Sequence, residues 1–346
     1  MGDNIFLATA DQTSKEQSVV CFSRETGKQK WQTVVSSGGF AARIHPKNTY
    51  ASQTIATDGE RVFAVFENHN KIQVAALNYD GTKAWVKNVG DYQGKYPFGF
   101  GTSPIMQGKN VVITADNQLD SMILALDGKT GDQAWKIDRD KKTSYSPPAI
   151  AESGGSEQML ISGGGKVMSY DLKDRSINWS VPAQWQVSCG TMVWNDDLVF
   201  ASGGFPASQT LAIDAKSGEV KWQNRVKCYE QSMLIHDDHL YGVSEKGAAY
   251  CWDAATGEQK WVSRLQNGAK QSASPVLVDG NIFFTSETGY THVVKADPSS
   301  FQLVATNKLG DESFASMAIV DGTIFTRVAT GGGGAPRQEW LVRIAK

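Results

Sequence analysis

Cysteine is scarce in this 346-residue chain, and its four residues (Cys21, Cys189, Cys228, Cys251) lie far apart, with no CxxC pair. They offer no disulfide framework and do not point to a compartment. Histidine is little better represented: the spacing of His45, His69, His236, His239 and His292 supports no Ser–His–Asp arrangement. No apolar run approaches the roughly 18 residues of a membrane span. The opening Met1-Gly2-Asp3-Asn4 does not read as a signal peptide. With a net charge of -2, the chain lacks the basic face that nucleic acid requires. Helical periodicity is absent beyond a single turn.

What the chain does have is repetition. Ala125-Leu126-Asp127-Gly128-Lys129-Thr130-Gly131 leads to Trp135, and Ala212-Ile213-Asp214-Ala215-Lys216-Ser217-Gly218 leads to Trp222. Cys251-Trp252-Asp253, with Thr256-Gly257, leads to Trp261, and weaker copies end at Trp31, Trp85 and Trp179. A seventh copy, from Ala296-Asp297-Pro298, carries Ala305 where the Trp would fall. Small residues at Ser52, Ser103, Ser146, Ser188, Ser232, Ser274 and Ser316 mark the same period independently. A period of about 42 residues filled with short strands means propeller blades.

Each period divides into four strands, A to D. Ser274 to Val278 reads as strand A, Asp279-Gly280 as a hairpin turn, Asn281 to Thr285 as strand B and Thr291 to Ala296 as strand C. Asp58-Gly59 and Asp321-Gly322 repeat the turn. In the motif, Asp accepts amides of the C–D turn, Gly supplies a left-handed residue, and the strand-D Trp packs between adjacent sheets. Arg175 and Phe301 stand at Gly positions, which predicts two non-standard turns. The prediction is an all-β, eight-bladed β-propeller of four-stranded antiparallel blades, one domain over residues 1–346. Strand B near Asn4 comes first and strand C near Ile344 last, so the count implies a D–A pair upstream, where an export signal would also lie.

The A-x-D-x-x-[ST]-G-x-x-x-W copies resemble the PQQ-type repeats of bacterial propellers. That family includes quinoprotein alcohol dehydrogenases and BamB-like proteins of outer-membrane assembly. The resemblance implies a periplasmic or otherwise extracytoplasmic protein. It also raises the question of pyrroloquinoline quinone (PQQ) with Ca²⁺, which many relatives stack against a vicinal disulfide. This chain has no adjacent cysteines, so the expectation is no cofactor, no metal and no catalysis.

Other chemical candidates read as structure. His236-Asp237-Asp238-His239 falls on an A–B hairpin, where no third metal ligand can be named. Gly163-Gly164-Gly165-Lys166 lacks the hydroxyl residue and helix of a phosphate loop and reads as a B–C turn, and the Gly331 to Gly334 run reads as another turn. The better candidates are the D-to-A connections, which in a propeller converge at one mouth of the channel. They supply Lys47, Asn48, Tyr50, Phe100, Tyr145, Trp185, Tyr229, Glu230, Gln271 and Phe314 as a ligand- or partner-binding set. Two readings stay open: a site for a protein, peptide or glycan partner, and a simple plug of the channel mouth. The turn acids Glu67, Asp116, Glu245 and Glu287 read as solvated residues or as cation ligands.

Overall fold

A computed structural model describes residues 1–267, 270–331 and 336–345. Gly332 to Gly334 of the glycine run lie outside the described residues. The described residues contain strands and turns and no helix. They build eight blades of a β-propeller, six of four strands and two of three. The chain divides into two compact units, Met1–Ala149 and Ile150–Lys346.

The first unit holds blades 1 to 3. Blade 1 is Asn4–Asp11, Glu16–Ser23 and Gln29–Ser37, which are strands B, C and D. Blade 3 shows the complete pattern: Ile105–Gln107, Asn110–Ala115, Met122–Asp127 and Gln133–Asp138, paired in sequence order. The second unit holds blades 4 to 8. Blade 7 comprises Val276–Val278, Asn281–Thr285, Tyr290–Lys295 and Leu303–Lys308, and blade 8 is Ala318–Val320, Thr323–Thr330 and Gln338–Ile344. A small extra sheet pairs Trp185–Val187 with Phe205–Pro206, an elaboration that the repeat pattern does not foretell.

Strands B and C are nearly continuous apolar runs because both of their faces are covered. In blade 2, Val62, Phe63, Ala64, Val65 and Phe66 are all buried, as are Val74 to Leu77 on the paired strand. The D strands sit at sheet edges and alternate between exposed and half-buried residues. Asp279-Gly280 and Asp321-Gly322 have positive φ at both positions, as do Asp237 and Asp238. The primed hairpin turn matches strand twist, and Asp tolerates the left-handed region well enough to replace Gly.

The motif works as its chemistry predicts. Asp127, Asp214 and Asp253 each accept the amides two and three residues on, at 2.8–3.2 Å. Each motif Trp lies opposite a small strand-C residue: Cys21, Ala76, Ala125, Ser169, Ala212 or Cys251. The indole then reaches the next blade. Trp85 Nε1 donates to Gly128 O at 3.0 Å, Trp179 to Ala215 O at 2.8 Å and Trp222 to Ala254 O at 2.8 Å. Gly131, Gly218 and Gly257 have φ of +69°, +76° and +73°, and a Cβ on any of them would stand 2.6 Å from the docked indole or its Cβ. Glycine is thus demanded by backbone and by contact at once.

Three expectations need correction. Of the motif tryptophans, Trp179 and Trp261 are buried, whereas Trp31, Trp85, Trp135 and Trp222 are half-buried, because strand D is the solvent-side edge of its sheet. Arg175 keeps the standard turn: its φ is 68° and its N–H bonds Asp171 O at 2.9 Å, as Gly131 bonds Asp127 O at 2.7 Å. In the seventh copy Lys295, not Asp297, holds the motif Asp position, since Lys295 N–H bonds Gln302 O where Asp127 N–H bonds Asp132 O. That turn is two residues longer, as predicted for a non-standard one, and Phe301 packs edge-on against Trp261 at 5.4 Å. Val293 opposite Ala305 exchanges the large and small partners of the other blades.

Four of the repeated serines, each just before a strand A, link neighbouring blades. Ser103 Oγ accepts the Thr54 N–H, Ser232 that of Thr191, Ser274 that of Ser232, and Ser316 that of Ser274, each at 2.9 Å.

Candidate functional site

In the first unit, a buried polar hub fixes the longest connection, residues 38–55. Gln17 is fully buried; its Nε2 donates to Tyr50 O at 2.8 Å and Glu67 O at 3.1 Å. Its Oε1 accepts from Ser36 Oγ at 2.8 Å and Asn68 Nδ2 at 3.0 Å, and Asn68 also donates to Gly38 O. The two ends of the connection are therefore tied to strands Arg61–Asn68 and Glu16–Ser23, which the Gln17–Asn68 bond joins. Tyr50, at φ 60°, stacks on Phe40 with centroids 4.5 Å apart and donates its hydroxyl to Ala41 O at 3.1 Å.

Asn48 sews this connection to the next. Its Nδ2 donates to Phe98 O at 2.8 Å and Phe100 O at 3.3 Å, while its Oδ1 accepts from Tyr50 N at 3.0 Å and Ser52 Oγ at 3.1 Å. Phe100 is buried edge-on against Tyr92, and its N–H donates to Glu67 Oε2 at 3.0 Å. Burial pushes the Glu67 carboxyl upward, and the Phe100 amide pulls it partly back. Burial also raises the Tyr92 phenol well above its ordinary value. Tyr145 is buried too, 6.3 Å from the half-buried ring of Phe98. Lys47 is half-buried, its N–H directed to His45 Nδ1 at 3.2 Å.

His45 and Phe98 also stand on these connections, and sequence reasoning passed over their neighbours Tyr96 and Lys95. The His45 ring meets Phe98 edge-on at 5.1 Å, Tyr96 stacks on Phe98 at 5.4 Å, and Lys95 lies 5.5 Å above the Tyr96 ring. The alternation Tyr96-Pro97-Phe98-Gly99-Phe100 was the available signal. Nearby, Asp116 and Arg139 form a buried bidentate pair at 2.6 and 3.0 Å.

The second unit gathers its candidates differently. Trp185 is fully buried, donates to Ser162 Oγ at 3.1 Å and lies where a Cβ on Gly203 would fall, 2.3 Å away. It is a packed residue of the small extra sheet. Tyr229 is half-buried beneath Lys227 at 4.6 Å, and Lys227 pairs with Glu245 at 2.8 Å. Ser272 Oγ lies 2.5 Å from Glu230 Oε2 and 2.7 Å from Glu287 Oε1, so two carboxylates share one hydroxyl. Gln271 is fully buried, with its N–H on Glu245 O at 3.2 Å. Half-buried Phe314 follows Ser313, whose N–H bonds Glu287 O at 3.1 Å.

Among the described residues no three His, Cys, Asp or Glu side chains gather as a metal-ligand set. His236 to His239 form the A–B turn, with His239 Nδ1 2.6 Å from Asp237 O. Gly164 and Gly165 form the B–C turn of blade 4. None of the four cysteines forms a disulfide, and burial pushes the Cys228 thiol up to about 12 and Cys251 to about 11. Such thiols are inert at neutral pH. No helix among the described residues is long and apolar enough to cross a membrane.

Antiparallel blades, inter-blade indole docking and the Asp–Gly–Trp turn together define a propeller of the PQQ-repeat class. The chain belongs to the family described as outer membrane protein assembly factor BamB, whose model matches residues 1–113 and 95–263. Its fold is similar to that of BamB from Moraxella catarrhalis, at 16% identity and a TM-score of 0.68, covering 94% of this chain and 91% of that one. It is also similar to a europium-containing methanol dehydrogenase, at 11% identity and a TM-score of 0.75, covering 96% and 82% respectively. A curated relative, the serine/threonine-protein kinase AfsK of Streptomyces griseus, is 23% identical over 172 residues, 45% of this chain and 20% of the kinase. The chain thus matches one fifth of that relative's length.

Proposed function

We propose that this protein is a non-catalytic binding scaffold, working outside the cytoplasm and engaging a protein partner through its D-to-A connections. The observation that carries the reading is the set of half-exposed rings and cations on the first unit's connections, held rigid by the buried Gln17 hub. Loops fixed on a rigid scaffold suit recognition. Membership of a family described by an outer-membrane assembly factor supports both the extracytoplasmic setting and the protein partner.

The residues present do not fit PQQ with its metal ion. Of the turn acids, Glu67 is committed to the Phe100 amide, Asp116 to Arg139 and Glu245 to Lys227, and Glu287 faces Glu230 across the Ser272 hydroxyl. No cysteine pair offers a surface for the quinone. The likeness to methanol dehydrogenase lies in the fold, and function resides in sites grafted onto folds. Calorimetry with PQQ and Ca²⁺ tests the reading: no saturable heat is expected. Micromolar binding would contradict it.

A further inference from the structure

On the first unit, the rings of His45, Phe98 and Tyr96 form a continuous row, each half-exposed. Cations flank it. Arg43 and Lys47 come from the same connection as His45, and Lys95 stands over Tyr96 at the far end. Residues 38–55 hold no Asp or Glu at all. Arg43 and Lys95 are exposed and enter no ion pair among the described residues. Of the neighbouring carboxylates, Asp116 pairs with Arg139 and Asp91 with Lys71, while Glu67 accepts the Phe100 N–H and Asp120 the Asp91 N–H. The surface therefore offers flat apolar area beside two cations, Arg43 and Lys95, that no carboxylate among the described residues pairs.

We propose that this row docks an acidic peptide segment of a protein partner, its carboxylates meeting Arg43 and Lys95 and an apolar side chain lying on Phe98 and Tyr96. The proposal rests on the scaffold reading and names the chemistry of its partner. A glycan fits less well. Sugar hydroxyls are read by amides, which donate and accept, and by carboxylates, which accept. Here both ends of the Asn48 amide are spent inside the connections, Gln53 Nε2 donates to Phe100 O at 2.8 Å, and the Tyr50 hydroxyl is held by Ala41 O. What remains outward is charge and ring face, which select carboxylates beside apolar groups.

The test is fluorescence anisotropy with a labelled peptide of sequence Glu-Glu-Phe-Glu-Glu-Phe, and the Lys-for-Glu peptide as its counterpart. The wild type binds the acidic peptide saturably and the basic one at least about tenfold more weakly. Raising ionic strength from about 0.01 to about 0.15 M, which shortens the screening length from about 30 to about 8 Å, weakens binding. Arg43→Glu with Lys95→Glu lowers affinity at least about tenfold. Lys221→Glu with Lys260→Glu, an equal charge change on exposed strands of the second unit, does not. Equal binding by the first double variant, equal loss in the second, or no saturable binding by wild type overturns the proposal. So does an oligogalacturonate that binds more tightly than the peptide and displaces it. Failure here leaves the scaffold reading standing, whereas quinone binding removes that reading whatever the peptide does.

Discussion

At the scale of single residues, the motif glycines and tryptophans divide the work of joining blades. Gly218→Ala places a Cβ 2.6 Å from the Trp179 side chain on a backbone at φ +76°. It should destabilise by more than about 1 kcal/mol, read as a lower urea midpoint at constant slope. Arg175 offers the converse experiment, because it already occupies that turn at φ 68°. A left-handed non-glycine residue costs roughly 1–2 kcal/mol, partly offset by the extra freedom glycine gives the unfolded chain. Arg175→Gly should therefore raise stability by up to about 1 kcal/mol, and a lower midpoint would show that the arginine's own contacts matter more. Trp179→Ala should cost about 3–5 kcal/mol. The half-buried Trp85 should cost less when truncated the same way.

His292 sets the acid limb of stability. Its side chain is fully buried, with Nδ1 3.1 Å from Thr306 Oγ1 and Nε2 without a partner, and burial lowers its pKa below the ordinary 6.5. The folded state thus disfavours the proton that the unfolded state accepts. Its contribution is complete above pH 6.5 and is lost as pH falls from there toward the folded value. The motif aspartates act at more acid pH. Asp127, held down first by Lys109, and Asp214 and Asp253, held down first by the Ser217 and Thr256 amides, all titrate below 3.8. Their stabilisation goes as pH falls through those lowered values. Urea midpoints across pH should therefore decline first near 6.5, and His292→Asn should remove that first decline while leaving the second. An unchanged profile in the variant would contradict this assignment.

At the scale of elements, strand Glu16–Ser23 determines how well the first connection is held. Gln17 satisfies four groups at once, so Gln17→Leu strands buried partners of Tyr50, Glu67, Ser36 and Asn68. About 1–3 kcal/mol is lost for each group left unsatisfied, less what water recovers. Amide exchange in residues 38–50 should accelerate while strands Arg61–Asn68 and Lys71–Asn78 stay protected. Uniform acceleration would mean that the hub supports the blade and not its connection. The elements themselves were the most legible part of the chain. Strand order, the Asp279-Gly280 and Asp321-Gly322 turns and the Trp–Gly alternation follow from local patterns that repeat, whereas in Asp58-Gly59 only the glycine has positive φ. Arg175 and the lengthened turn after Lys295 were less so, because backbone conformation survives a residue change that a motif counts as a break. The repeated serines were visible as a period, but their hydrogen bonds to the preceding blade were not, since those bonds join residues 41 to 49 apart.

At the scale of the molecule, the blades were readable and the site only in outline. Aromatics crowd the D-to-A connections, yet no local pattern separates Trp185, fully buried on Gly203, from Tyr96, which is half-exposed. That difference arises from the extra sheet of Trp185–Val187 with Phe205–Pro206, a contact between distant segments. The meeting of His45 with Phe98 across two connections has the same origin. The account holds that such loops bind a partner and that the molecule performs no quinone chemistry. Its most direct test is steady-state dye reduction by protein preincubated with PQQ and Ca²⁺, and separately with PQQ and europium, over a series of alcohols and sugars. The predicted result is a rate no greater than that of PQQ and metal alone. Substrate-dependent, saturable reduction would contradict the account.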